Sequence, residues 1–449
     1  MPKVYIETYG CQMNEYDSEI VQAILQENRY QFVVQPEEAE ILLLNTCSVR
    51  ENATRKVLAR VHALRHLTNG REKIIGLLGC MTTNLRQSLL ENKKMRIDLM
   101  AGPDSYKRLP GLLDQALTDR KAVHDLKLSR SETYSDIHPF RAKSVNGWIA
   151  VMRGCDNYCT FCVVPYARGR ERSRSIDSVL NEVRRLAEQG FRQVTLLGQN
   201  VNSYHHQNHD FAFLLNKVSE IDDIWRIRFT SPHPKDFPDS LLKTVADNSK
   251  VCKHIHLPLQ AGADRILDRM NRTYSRQQYM DLVDKIRQYC PSIALTTDII
   301  VGFPGETDEE FENTLDVVQR VQFDSAFIFK YSPRRGTIAA RKYPDDVTPA
   351  QKTERIVHLN AVQKEISLNK NRSHIGEAHQ VLIEELVTRK SDLDVQGRTD
   401  GNKLVILPKG DLQVGEMVSV RISGASANVL KGKVIQASID LSAHSFIFH

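Results

Sequence analysis

GCDNYCTFC, residues 154–162, sets Cys155, Cys159 and Cys162 in a C-x-x-x-C-x-x-C spacing. No fourth cysteine or nearby histidine completes a tetrahedral set, so this run is one ligand short of a structural zinc site. An iron–sulfur cluster is normally held by four thiolates, and three would leave one iron open to something that is not protein. The residues leading in, GWIAVMRG (147–154), read as a strand. The cysteines therefore sit at the carboxyl end of a strand, where ligand sites of α/β folds form. A partial zinc site or a fortuitous thiol run is the plain alternative.

Working outward, the strand pattern repeats. QVTLLGQ (193–199), RIRFTS (226–231), HIHLPLQ (254–260), IALTTDIIVG (293–302) and SAFIFKYS (325–332) alternate with helical segments such as SIDSVLNEVRRLAEQG and SRQQYMDLVDKIRQYC. Six strands are too few for a closed eight-fold barrel, so a partial, open (β/α)6 barrel is predicted over 146–372. Its last helix starts at Thr348 as N-cap, with Pro349 at the first position and Gln351 closing a capping box, and runs to about Arg372. Five short strands then predict a small antiparallel β-barrel of oligonucleotide-binding type over 373–438. A tail follows at 439–449. Before the barrel, KVYIETYG, ILLLNT and KIIGLLG alternate with helical runs, which predicts a parallel-sheet α/β domain over 1–118. Residues 119–145 are polar and weakly patterned and read as a linker.

The chain has 449 residues, eight of them cysteine, and a formal net charge of +6. No apolar run reaches membrane-spanning length, and MPKVYIETYG lacks the architecture of a signal peptide. A cytoplasmic protein with no membrane partner is expected. In such a reducing compartment the cysteines read as ligands or buried residues and not as bridges.

Cys11, Cys47 and Cys80 each follow one of the three N-terminal apolar runs. In a parallel sheet these strand ends share one edge, so the three can meet. Coincidental burial is the alternative, since free cysteine is among the most buried residues. Cys252 and Cys290 lie outside both sets and read as packing residues.

The loop at 154–162 resembles the radical S-adenosylmethionine superfamily, whose hallmark is this spacing with an aromatic residue before the last cysteine, here Phe161. The resemblance implies a 4Fe–4S cluster whose open iron is chelated by S-adenosylmethionine, with one-electron cleavage releasing a 5′-deoxyadenosyl radical. It also places Gly198, Gln199 and Asn200 of LLGQN near the methionine end, Asn200 standing where the family carries an acidic residue. Gln260 of LPLQAG falls near the ribose, and Gly302 and Gly305 of DIIVGFPGE near adenine. Ordinary strand-end turn chemistry is the plain alternative for these positions.

YGCQMN, NTCSVRENA and GC in one domain, then the radical motif, then a β-domain similar to TRAM, resemble the methylthiotransferases over essentially the whole chain. This implies that Cys11, Cys47 and Cys80 hold a second, auxiliary 4Fe–4S cluster. Sulfur bound there would be methylated by one S-adenosylmethionine and transferred to a carbon activated by the radical from another.

NTCSVRENA, CTFCVVPYARGRERSR and LLGQNVNSY are similar to the branch that methylthiolates C2 of N6-isopentenyladenosine beside the tRNA anticodon. Alternatives are threonylcarbamoyl-adenosine in tRNA, an aspartate of a ribosomal protein, or a non-enzymatic iron–sulfur RNA-binding sensor. Expected partners are the anticodon stem-loop and an unidentified electron donor, with the chain a monomer. Arg168, Arg170, Arg172 and Arg174 after the first loop, and Arg334 and Arg335 with Arg341 and Lys342 after the last strand, suit phosphates and base planes. Solvated or ion-paired loops are the alternative. The C-terminal barrel, with eight basic and eight acidic residues over 374–438, would grip RNA by shape and not by bulk charge.

Overall fold

The computed structural model describes residues 1–48, 51–66, 73–91, 95–119, 121–142, 144–388 and 391–436, with backbone alone for 51–53 and 436. The tail expected at 439–449, and Val49 and Arg50 of the NTCSVRENA motif, lie outside the described residues.

The N-terminal unit is a six-stranded parallel sheet in the order Gln31–Phe32, Lys3–Tyr9, Ile41–Thr46, Ile74–Gly79, Leu99–Ala101, Val123–Asp125. Ile41–Thr46 and Ile74–Gly79 are buried along their whole length, as continuous apolar runs in a sheet covered on both faces should be. Leu43 packs with Tyr16, Ile20 and Ile24 of the helix Gln12–Glu27. Its neighbours Leu42 and Leu44 pack with Val57, Val61 and Leu64 of Glu51–His66 on the opposite face. The period of two thus sorts one strand between two helical layers.

Where a linker is predicted, the chain is fastened down. Val123–Asp125 supplies the sixth strand, pairing with Leu99–Ala101. Tyr134 is fully buried, and its hydroxyl accepts from Tyr106 N at 3.0 Å and donates to Pro103 O at 3.0 Å. Arg141 donates to Glu19, Glu182 and Trp148 O. The polar residues that make the stretch look loose are the ones that tie it.

The central unit is an open half-barrel of two three-stranded parallel sheets. Asn146–Ala150, Gln193–Leu197 and Arg226–Phe229 form one; His254–His256, Ala294–Val301 and Ser325–Lys330 form the other. Between them Ile227 makes an isolated parallel bridge with Val251, three residues ahead of His254–His256. Helices including Ile176–Glu188, Arg276–Tyr289 and Asp308–Val321 accompany the strands. The helix Pro349–Ser373 carries the capping box of Thr348 and Gln351.

A closed five-stranded barrel follows, spanning Ala378 to Gln436. Arg226 and Arg228, buried at the end of the first half-sheet, dock it. Arg226 donates to Arg398 O (2.6 Å) and Gln380 O (2.8 Å), and Arg228 to Asp400 O (3.0 Å) and Thr399 O (2.8 Å). Cys252 and Cys290 are buried away from both cysteine trios. Among the described residues no helix is long and apolar enough to cross a membrane.

Candidate active site

Three neighbouring strands position the first trio. At their carboxyl ends Tyr9 lies opposite Thr46, and Thr46 opposite Gly79. Cys47 and Cys80 are the next residues along two of them, and Cys11 caps the helix Gln12–Glu27. Asn14 ties this edge together: its amide donates to Asn45 Oδ1 (3.2 Å) and Thr46 O (3.1 Å), and its Oδ1 accepts from the Cys11 thiol (3.4 Å). The hydrogen bond with Cys47 pulls the Cys11 thiol down to about 6, and the Arg168 cation adds to it. Burial pushes the Cys80 thiol up, although Arg168 Nε donates to its sulfur at 3.1 Å.

The second trio sits in a loop clamped at several points. Gly154 has φ +81°, and a Cβ there would lie 2.0 Å from Arg170 O, so the loop can enter only through glycine. Cys155 N donates to Gly169 O (3.1 Å), Thr160 N to Met270 O (2.9 Å) and Thr160 Oγ1 to Arg269 O (2.8 Å). Arg272 Nη1 donates to Cys159 Sγ at 3.4 Å. Burial pushes the Cys155 and Cys162 thiols up to about 12, so loading a metal there must displace protons.

A cavity of about 680 Å³ borders the second trio at Cys162 and reaches the neighbour of Cys47. Cys162 lines one part of it, and Ser48, the residue after Cys47, lines another. Phe161, Gln260, Asp298, Ile300, Phe329, Arg334 and Lys352 complete much of the wall. That volume is in the ordinary range for a cofactor site. Gln199 Oε1 and Asn200 Oδ1 are buried without a hydrogen-bond partner among the described residues. Unsatisfied buried acceptors of this kind are rare and suit a ligand that brings donors. Two sets of three thiols, each with a guanidinium on one sulfur, likewise fit clusters with three protein ligands apiece.

The expected cofactor contacts are distributed unevenly. Phe161 and Gln260 line the cavity. Gly302 packs beneath Lys352, and its N–H donates to Glu306 Oε2 at 2.6 Å. Gly198 packs against Met152 and Val201, and Gly305 against Arg269. Asp298, Lys352, Arg272 and Ser48 are additions that the sequence reading lacked. Asp298 had a legible signal, since it alternates with Thr296 and Ile300 along one face of its strand.

Residues 3–102 match the uncharacterized protein family UPF0004, 149–318 the radical SAM superfamily and 372–435 the TRAM domain. A tRNA-2-methylthio-N(6)-dimethylallyladenosine synthase of Porphyromonas gingivalis is 45% identical over 97% of this chain and 95% of its own. One from Chloroherpeton thalassium is 44% identical over 96% of each. The chain belongs to the tRNA-2-methylthio-N(6)-dimethylallyladenosine synthase family. Its fold is also similar to that of TsrM, a radical S-adenosylmethionine methyltransferase from Kitasatospora setae. That match has a TM-score of 0.57 at 14% identity, over 76% of this chain and 77% of the other.

For a member of this synthase family, the arginines expected on RNA need correction. Arg168, Arg172 and Arg174 are buried and ion-paired, so they cannot meet a phosphate backbone. Arg168 holds Asp17, Arg172 holds Asp104 and Arg174 holds Glu182, at 2.7, 2.9 and 2.5 Å. They fasten the synthase half-barrel to its N-terminal sheet and to its own helix. Arg170 alone of this run is exposed, and it pairs with Asp156. Arg334 lines the cavity, while Arg335 reaches Ser88 and Gln87 of the N-terminal unit.

Proposed function

We propose that the chain methylthiolates C2 of N6-isopentenyladenosine in tRNA, using two 4Fe–4S clusters and two molecules of S-adenosylmethionine. The observation that carries this reading is the cavity bordered by Cys162 on one side and by the neighbour of Cys47 on another. Cys155, Cys159 and Cys162 would hold the cluster that takes S-adenosylmethionine, and Cys11, Cys47 and Cys80 the auxiliary cluster. Bound there, cluster and S-adenosylmethionine supply one-electron reduction and a carbon-centred radical, chemistry that belongs to the cofactor.

The chain's own part is placement and exclusion. Phe161 and Gln260 border the cofactor position beside Cys162. The free acceptors of Gln199 and Asn200 suit an ammonium group, and Asp298 suits hydroxyl donors. Phe161, Ile300 and Phe329 supply apolar walls that keep water from a reactive intermediate. Phe327, 55% exposed, stands on the same strand as Phe329, and the pair offers aromatic faces to a base splayed out of an RNA loop. The reading includes the anticodon stem-loop as the RNA element, a TRAM barrel that recognises it by shape, and an electron donor not yet identified. The protein acts as a cytoplasmic monomer.

The test offers three substrates separately to the anaerobically reconstituted protein with reductant and S-adenosylmethionine. They are a stem-loop carrying isopentenyladenosine, one carrying threonylcarbamoyl-adenosine, and a ribosomal protein. A methylthio mass gain on the first alone is the expected outcome. A gain confined to either of the others would overturn the substrate assignment.

A further inference from the structure

Arg168 ends the short helix Val164–Arg168, which begins two residues after Cys162. Its side chain crosses from the half-barrel to the cysteine edge of the N-terminal sheet. There Nε donates to Cys80 Sγ at 3.1 Å and Nη2 to Asp17 Oδ2 at 2.7 Å. The residue is 3% exposed, and Nη1 is buried with no acceptor among the described residues. Asp17, also buried, receives a second guanidinium, Arg153 Nη2 on Oδ1 at 2.7 Å.

Two arginines therefore share one carboxylate, and a unit of positive charge is left in the interior against Cys80. The neighbouring arginines each have a carboxylate partner of their own: Arg172 pairs with Asp104, Arg174 with Glu182, and Arg141 with Glu182 and Glu19. A buried cation in excess is unfavourable unless an anion meets it. Among the groups Arg168 touches, the cysteine edge is what can supply one, as thiolates carrying an iron–sulfur core.

We infer that Arg168 is a positioning residue through which the radical half holds the auxiliary cluster, donating to the Cys80 sulfur and, through Nη1, to a sulfur of the bound group. This rests on the proposed reading that Cys11, Cys47 and Cys80 hold such a cluster. Hydrogen bonds and positive charge at the sulfurs raise a cluster's reduction potential. Because Arg168 lies six residues beyond Cys162, the same side chain also fixes one trio relative to the other.

The experiment uses the full chain with Cys155, Cys159 and Cys162 replaced by alanine, so that only the N-terminal trio remains. Iron is counted, and the potential and electron paramagnetic resonance spectrum are recorded with Arg168, Arg168→Gln and Arg168→Lys. About four irons per chain are expected in this background. Their absence with Arg168 intact would sink the cluster reading itself. Arg168→Gln leaves Asp17 paired with Arg153, and it should keep iron while its potential moves negative and its spectrum changes. Arg168→Lys retains the charge and should shift less in the same direction, which keeps the test alive if the glutamine variant does not fold. Iron retained with potential and spectrum unmoved in the variants would overturn the role of Arg168.

Discussion

Gly10 shows how little room the first cysteine trio leaves. A Cβ there would lie 2.6 Å from Asn14 Oδ1 and 2.7 Å from Cys47 Cβ, so Gly10→Ala must drive these groups apart. Overpacking of this kind costs about 1–3 kcal/mol. The expected outcome is a lower melting temperature together with iron lost from the N-terminal trio, counted in a chain lacking the barrel cysteines. The cysteines themselves were legible because each ends an apolar run whose strands share an edge. The arginines were not. Residues 168, 170, 172 and 174 look like a solvent-facing basic run, yet the partners that bury three of them stand 151, 68 and 8 positions away at Asp17, Asp104 and Glu182. Charge runs are visible locally, whereas their neutralisation is a tertiary fact.

Among the elements, the helix Pro349–Ser373 joins the cavity to the C-terminal barrel. Lys352, in its first turn, lines the cavity over Gly302, and Asn371, in its last, donates to Ser426 O (2.8 Å) and Ala427 O (3.1 Å). Thr348 Oγ1 accepts from Gln351 N at 3.3 Å, and Gln351 Oε1 accepts from Thr348 N at 3.0 Å. Thr348→Ala should therefore cost about 1 kcal/mol in a urea titration and weaken S-adenosylmethionine binding, with Thr348→Ser restoring both. This cap was readable because its residues lie within one helical turn. The sixth N-terminal strand was not, since Val123–Asp125 is three residues long with two polar side chains, and only the waiting edge of Leu99–Ala101 makes it a strand.

Across the whole molecule, the barrel is docked through backbone carbonyls that Arg226 and Arg228 satisfy. Arg228→Met would remove the guanidinium hydrogen bonds to Thr399 O and Asp400 O, and hydrogen bonds from a charged group contribute about 1.5–3 kcal/mol. A tRNA affinity lower by roughly tenfold or more is expected in a filter-binding titration, with S-adenosylmethionine cleavage in the absence of RNA unchanged. The central claim is that one cavity serves two cysteine trios with separate tasks. Its most direct test compares the native chain with the Cys11→Ala, Cys47→Ala, Cys80→Ala triple variant. Mass spectrometry would follow the isopentenyladenosine stem-loop while 5′-deoxyadenosine is counted. The account predicts deoxyadenosine from both proteins and methylthio transfer by the native chain alone. Methylthio transfer that survives in the triple variant would contradict it.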